Sequence, residues 1–245
     1  NMAGILEKNE KKLKILLIIP AFNEELNLES LVQSIQIKCP FADYLIVNDC
    51  SSDNTKELLE EMNYPHVNLP ANLGIGGAVQ TGYLYAVQNG YDIALQVDGD
   101  GQHDVSYIKS LIDPIQTGKA DMVIGSRFLT GEGFQSSRSR RLGIRLLSSL
   151  INFCTGVRVW DVTSGFRAVN RKVMELFAVN YPIDYPEPES IVAANVHGAK
   201  IQEIPVVMKE RIKGVSSINW SKSIYYMIKV SIAIILCKMI GEESR

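Results

Sequence analysis

The chain has 245 residues, 46% of them hydrophobic and 21% charged, with 25 Lys and Arg against 27 Asp and Glu for a formal charge of −2. That size fits one large domain or two small ones and lets a core hide roughly 70–75% of the extended surface. The composition excludes a disordered chain, a collagen-like chain and a disulfide-dense module, and the charge balance gives no sign of a nucleic-acid partner.

Residues 1–12 are set aside as an added or disordered start, since Asn1 stands ahead of Met2. Lys14–Ile19 is then a continuous apolar strand expected to stop at Pro20, and Glu24–Ile37 carries Leu28, Leu31, Val32 and Ile35 at helical spacing. Tyr44–Val47 reads as a second strand, and Ser51, Ser52 and Asp53 offer capping oxygens to a helix around Leu58, Leu59 and Met62. His66–Leu69 is a short strand before a Gly-rich helix start at Gly74; Ile93–Val97, Val105–Ile115 and Met122–Ile124 continue as strand, helix and strand. This alternation predicts an α/β fold, a mostly parallel sheet with helices on both faces.

Beyond Gly125 the rhythm loosens. Ser126–Arg141 reads as a polar loop, Leu142–Phe153, Val169–Ala178 and Glu189–His197 as helices, and Ile201–Met208 as a late strand. The four cysteines, Cys39, Cys50, Cys154 and Cys237, lie far apart without a CxxC, which points to a reducing, cytoplasmic setting. The tail Ser223–Ile240 is apolar, but Lys229 and Lys238 leave only eight uncharged residues from Val230 to Cys237. A bilayer span needs about 20. The tail therefore reads either as a packing helix, within the fold or between two copies, or as a helix lying at a membrane surface.

The most informative segment is Asp98-Gly99-Asp100-Gly101-Gln102-His103-Asp104. Residues two apart on an extended chain point the same way, so Asp98 and Asp100 can aim two carboxylates at one point, with Gly99 and Gly101 leaving it open. Two hard oxygen ligands suit Mg²⁺ or Mn²⁺, which complete their shells with water and phosphate. Asp49, at the end of the second strand, can accept hydrogen bonds from a base or ribose, or serve only its own turn. Gly74, Gly76 and Gly77 open a helix with little bulk, so backbone can approach a ligand there.

Together, Pro20-Ala21-Phe22-Asn23-Glu24, Asp49 with Ser51-Ser52-Asp53-Asn54-Thr55, Asn72-Leu73-Gly74-Ile75-Gly76-Gly77-Ala78 and Asp98-Gly99-Asp100-Gly101-Gln102-His103 resemble the family-2 glycosyltransferases of GT-A fold. The match runs from about Lys14 to Arg127. Asp161-Val162-Thr163-Ser164-Gly165-Phe166-Arg167 extends it toward the branch of dolichol-phosphate mannose synthases and bacterial polyprenyl-phosphate glycosyltransferases. Asn48 departs from the pattern, standing where many relatives carry a further Asp.

The resemblance implies a catalytic domain over 13–212, a C-terminal helical extension over 213–245, and inverting transfer from a nucleotide-diphosphate sugar. It places Pro20, Ala21, Asn23, Glu24, Asp49, Ser51, Gly76, Asp98 and Gly99 at the donor and Asp98, Asp100 and Gln102 at the metal; His103 stays open between ligation, support and capping. A metal and cations would offset the charge thrown onto the departing diphosphate. Arg127, Arg138, Arg140, Arg141 and Arg145 form a candidate basic lid over a phosphate, with Arg167 and with Arg211 beside Ser216 and Ser217 as further contacts.

The acceptor is either a polyprenyl phosphate, whose oxygen is already ionised at neutral pH since its second pKa is ~6, or a glycan hydroxyl that needs a carboxylate base. Asp161 is the first base candidate, with Glu187 and Glu189 as two further carboxylates. The setting expected is the cytoplasmic side of a membrane, reached directly or through a membrane-protein partner. The competing readings are a sugar-phosphate nucleotidyltransferase and an inactive nucleotide-sugar-binding protein.

Overall fold

The computed structural model describes residues 13–133, 138–209, 229–236 and 238–239. Seven strands form one sheet: β1 (Ile15–Ala21), β2 (Asp43–Asn48), β3 (His66–Asn68), β4 (Ile93–Gln96), β5 (Met122–Ser126), β6 (Arg167–Asn170) and β7 (Ile201–Pro205). Their order is β3-β2-β1-β4-β6-β5-β7, with β6 antiparallel to both neighbours and every other pairing parallel. The helices include α1 (Leu28–Lys38), α2 (Thr55–Glu61), α3 (Gly74–Gln88), α4 (Ile108–Gln116), α5 (Arg138–Thr155), α6 (Arg171–Val179) and α7 (Pro186–Val196), with a 3₁₀ turn at Val105–Tyr107.

The central strand β1 is buried throughout because both of its faces are covered. Along β1, Leu16 and Ile18 enter one core with Tyr83 of α3, Ile144 of α5, Phe177 of α6 and Ile191 of α7. Leu17, Ile19 and Ala21 enter the other, with Leu31 and Ile35 of α1, Leu59 of α2 and Leu111 of α4. That is the period-2 alternation of a strand with two buried faces. Burying each such Leu or Ile contributes about 1.5–3 kcal/mol.

Several boundaries depart from the expectation; α1 begins at Leu28 rather than Glu24, and β7 ends at Pro205 rather than Met208. β1 runs through Pro20 because its carbonyl, and hence its backbone nitrogen, face the side where β4 has already ended at Gln96; the carbonyl accepts from the Gly99 N–H instead. Val169 and Asn170, expected to open a helix, belong to β6, and Asn170 then caps α6 by accepting from the Val173 N–H. The polar loop after β5 is shorter than expected, since helix α5 begins at Arg138. Residues 229–236 and 238–239 are helical, and Val230 and Ile234 are buried in the α3, α5, α6 and α7 core. Among the described residues no helix is long and apolar enough to cross a membrane.

Candidate active site

The carboxyl ends of β1, β2 and β4 are laced together. Ala21 carbonyl accepts from the Asp49 N–H at 2.9 Å, and Pro20 carbonyl accepts from Gly99 at 3.3 Å. Pro20, Ala21, Asp49 and Gly99 therefore share one edge. A Cβ on Gly99 would lie 3.0 Å from the Pro20 carbonyl oxygen and 3.5 Å from Glu24 Cγ, so glycine lets these segments meet.

Asn23 and Ser51 hold the two loops to each other. Asn23 takes φ +58°, its N–H donates to Ser51 Oγ at 3.0 Å, and its Oδ1 accepts from the Ser52 N–H at 2.8 Å. Glu24 is buried, donates its N–H to Thr55 Oγ1 and accepts from Asn27 Nδ2 at 2.7 Å. Asn48 uses both ends of its amide, donating to Asn68 Oδ1 at 2.7 Å and accepting from the Ser51 N–H at 3.1 Å. A carboxylate could not do both, which accounts for the departure at that position.

Asp49 Oδ1 accepts from the Leu73 N–H at 2.7 Å at the start of α3. Burial pushes its pKa up, against the pull of the Leu73 and Gly74 N–H groups. Gly76 serves packing, because a Cβ there would sit 2.4 Å from the Ile183 carbonyl oxygen, and the backbone that comes close is the protein's own. Gly82 does likewise, since a Cβ would lie 2.2 Å from Ile18 Cγ2. The glycines thus press α3 onto β1 and fix its N-terminus beside Asp49.

Asp98 is half-buried, with one carboxylate oxygen hydrogen-bonded and the other facing a histidine. Gln96 Nε2 donates to Oδ1 at 2.9 Å, and His103 Nε2 stands 3.6 Å from Oδ2. Asp100 Oδ1 accepts from the Gln102 N–H at 3.0 Å, while Gln102 Nε2 donates to the Lys209 carbonyl at 3.3 Å. Asp104 is structural: it caps the 3₁₀ turn through Ser106 and pairs with Lys38 and Lys209. Burial works against its ionisation, but the Ser106 bonds and the two lysines outweigh it and lower its pKa.

The donor set is all hard oxygen, as Mg²⁺ or Mn²⁺ prefers. A Cβ on Gly165 would lie 3.0 Å from both Asp98 oxygens, so glycine keeps the space at that carboxylate clear. Among the described residues no three His, Cys, Asp or Glu side chains gather into a cage. A cation here would draw on Asp98, Asp100 and the Gln102 amide oxygen, with a diphosphate and water completing its shell.

Arg127 and Asp161 meet, but each occupies the other. Arg127 donates from Nε and its backbone N–H to Asp161 Oδ2 at 2.7 and 3.0 Å, and from Nη2 to Oδ1 at 2.7 Å. Asp161 is fully buried, and its own N–H and that of Trp160 donate to Glu203 at 2.8 Å. A base must reach an acceptor, whereas the Asp161 carboxylate, a base candidate from the sequence, is buried here as the counter-ion of Arg127. Burial opposes the Arg127 charge, yet Asp161, with Asp98 and Glu187 beyond it, raises its pKa.

Arg167 is likewise no phosphate contact. It is fully buried, donating to Ser164 and Glu187 carbonyls at 2.5 Å, Ser190 Oγ at 2.7 Å and Val162 carbonyl at 3.0 Å, and so ties the 161–167 segment to the start of α7. Glu187, half-buried on that first turn, has a raised pKa, chiefly from burial, with Arg167 opposing and Asp98 adding to the rise. The basic lid is also revised. Arg127 is buried, Arg138, Arg140, Arg141 and Arg145 lie on α5, and Arg211, Ser216 and Ser217 fall outside the described residues.

Sequence reasoning missed Gln96 as a site residue, and it gave Gly165 no role of its own. Gln96 carried a signal, as the polar end of the strand Ile93-Ala94-Leu95-Gln96, two residues before Asp98 and so on its side of the chain. Gly165 carried none, because its contact with Asp98 is made only when β6 enters beside β4.

The carboxyl edge of this α/β sheet thus gathers an acidic pair, Asp98 and Asp100, beside Asp49 and the glycine-rich start of α3. Residues 16–177 match the model of glycosyl transferase family 2, and the chain belongs to that family and is a glycosyltransferase. It is 31% identical over 228 residues to polyprenol monophosphomannose synthase of Mycolicibacterium smegmatis, covering 89% of this chain and 86% of that one. It is 27% identical over 216 residues to undecaprenyl-phosphate mannosyltransferase of Micrococcus luteus, covering 84% and 88%. The fold matches glucosyl-3-phosphoglycerate synthase of Mycobacterium tuberculosis, solved with Mn²⁺, UDP-glucose and phosphoglyceric acid, at a TM-score of 0.70 over 92% of this chain and 80% of that one, with 19% identity. Family membership retires the nucleotidyltransferase alternative.

Proposed function

We propose that the protein transfers a sugar, with inversion, from a nucleoside-diphosphate sugar to a polyprenyl phosphate at the cytoplasmic face of a membrane, with Mg²⁺ or Mn²⁺ held at Asp98, Asp100 and Gln102. The observation that carries the choice of acceptor is the closed Arg127–Asp161 pair. A carboxylate closed against an arginine is poorly placed to act as a base, and an ionised phosphate oxygen needs none. The names of the relatives, an undecaprenyl-phosphate mannosyltransferase among them, support the same acceptor class.

In this reading Pro20, Ala21, Glu24 and Asp49 line the nucleoside side, Asn23 and Ser51 fix their loops, and Gly76 sets the approach of α3. The cation supplies charge neutralisation to the leaving diphosphate. Gln96 holds the Asp98 carboxylate, and Arg140, whose charge reaches Glu187, adds positive potential on the acceptor side. The approach to a lipid is supported by α5. Leu142, Leu146 and Phe153 are 61, 59 and 88% exposed. At 100° per residue they fall within about 40° of one another, on the side opposite buried Ile144, Leu147 and Ile151. Four arginines and no acidic residue complete the pattern of an interfacial helix. Exposed Ile232, Ile235, Leu236 and Met239 near the C-terminus repeat it within the extension assigned to 213–245.

The test is transfer of radiolabelled sugar from a panel of nucleotide sugars, offered polyprenyl phosphate beside a glycan. Product in the organic phase is expected. Product only on the glycan would overturn the acceptor and favour the second reading, in which Glu187, with its raised pKa, serves as the base for a hydroxyl.

A further inference from the structure

We propose that His103 is a positioning residue that accepts from the Asp98 backbone N–H and turns its Nε2 toward the Asp98 carboxylate, and so sets how strongly the site takes a divalent cation. The inference rests on reading Asp98 as a cation ligand and adds a residue that does not touch the cation.

The ring is 5% exposed and stacked on Phe166, with centroids 4.5 Å apart and planes 14° from parallel, so its orientation is fixed. The Asp98 N–H donates to Nδ1 at 3.0 Å. Nδ1 must then carry no hydrogen, which puts the hydrogen of the neutral ring on Nε2. That Nε2 lies 3.6 Å from Asp98 Oδ2, longer than a hydrogen bond but close enough for the N–H dipole to favour one carboxylate orientation. Gln96 Nε2 holds the other oxygen at 2.9 Å. Each Asp98 oxygen thus faces an N–H from a buried side chain, as ligating carboxylates do when outer groups orient them. Phe166 follows Gly165, whose missing Cβ clears the same carboxylate, so one segment braces both His103 and Asp98.

Two near-isosteric variants separate the functions of the two ring nitrogens. His103→Asn keeps an acceptor in the place of Nδ1 and loses the Nε2 donor. His103→Gln keeps a donor in the place of Nε2 and loses the Nδ1 acceptor. Mn²⁺ is titrated into each protein with GDP or UDP present and free Mn²⁺ is followed by electron paramagnetic resonance, while thermal unfolding is measured in EDTA.

The expected result is Mn²⁺ binding about 10–100-fold weaker in His103→Asn, partly recovered in His103→Gln through its retained donor, at similar unfolding temperatures. Equal Mn²⁺ affinity in all three proteins overturns the inference and leaves the cation reading standing. Losses that follow unfolding temperature rather than the retained donor also overturn it. A wild-type protein that binds no Mn²⁺ with either nucleotide overturns both. Should the variants fail to fold, ¹⁵N chemical shifts of the wild-type imidazole decide the geometry: a hydrogen on Nε2 supports the inference, and one on Nδ1 refutes it.

Discussion

In Asp161→Asn the carboxylate facing Arg127 is exchanged for an amide of nearly the same shape. The wild-type pair is bidentate at 2.7 Å, with the backbone N–H of Arg127 as a third donor, and the two side chains are 9 and 0% exposed. The variant leaves a buried guanidinium without its counter-charge, and one of the two positions that accepted a proton now carries an NH₂ group. Removing one partner of a buried pair costs about 3–5 kcal/mol. At roughly 2–4 °C per kcal/mol for a chain of this size, the melting temperature should fall by about 6–20 °C. Urea denaturation gives the free energy directly. The double variant Arg127→Met with Asp161→Asn should lose less than the sum of the singles, because no buried charge remains. An Asp161→Asn protein that melts like wild type but has lost transfer by orders of magnitude would refute this reasoning and restore Asp161 as a base.

Three further outcomes follow from the geometry. Gly165→Ala would place a Cβ 2.7 Å from Gln96 Nε2 and 3.0 Å from both Asp98 oxygens, so Mn²⁺ affinity measured by titration should fall at least about tenfold. Gly76→Ala should cost about 1–3 kcal/mol in denaturant unfolding, since α3 must back away from the Ile183 carbonyl. Glu187 has a folded-state pKa raised by burial, so it contributes most stability below its unfolded pKa and loses that contribution as pH rises through the folded value. The melting-temperature difference, Glu187→Gln minus wild type, should therefore grow from pH 4 to pH 7, and a flat difference would count against the burial.

The first half of the fold was legible because β1, β2, β4 and their helices each announce themselves locally, by an apolar run and then a 3.6-residue period. β6 was not, because its apolar residues Ala168 and Val169 run straight into the helix that buries Val173, Met174 and Phe177. Its strand conformation comes from the slot between β4 and β5. The acidic pair was legible from its spacing of two. The fates of Arg127, Asp161 and Arg167 were not, since whether an arginine faces a phosphate, a carboxylate or a ring of carbonyls depends on which distant segment burial sets against it. The same holds for Gly76, whose small size serves a contact with Ile183 that no local pattern encodes.

The antiparallel strand also has a consequence for the order of assembly. β4 is complete by Gln96, yet its second neighbour in the sheet, after β1, is β6, in a register that pairs Ile93 with Asn170 and Gln96 with Arg167. Until the chain has been made past Asn170, one edge of β4 stays open and Gly165 and Phe166 cannot come to rest against Asp98 and His103. Closing so long a loop is slow. A nascent chain would therefore carry its acidic pair early, but without Gly165 and Phe166 set against it until β6 docks.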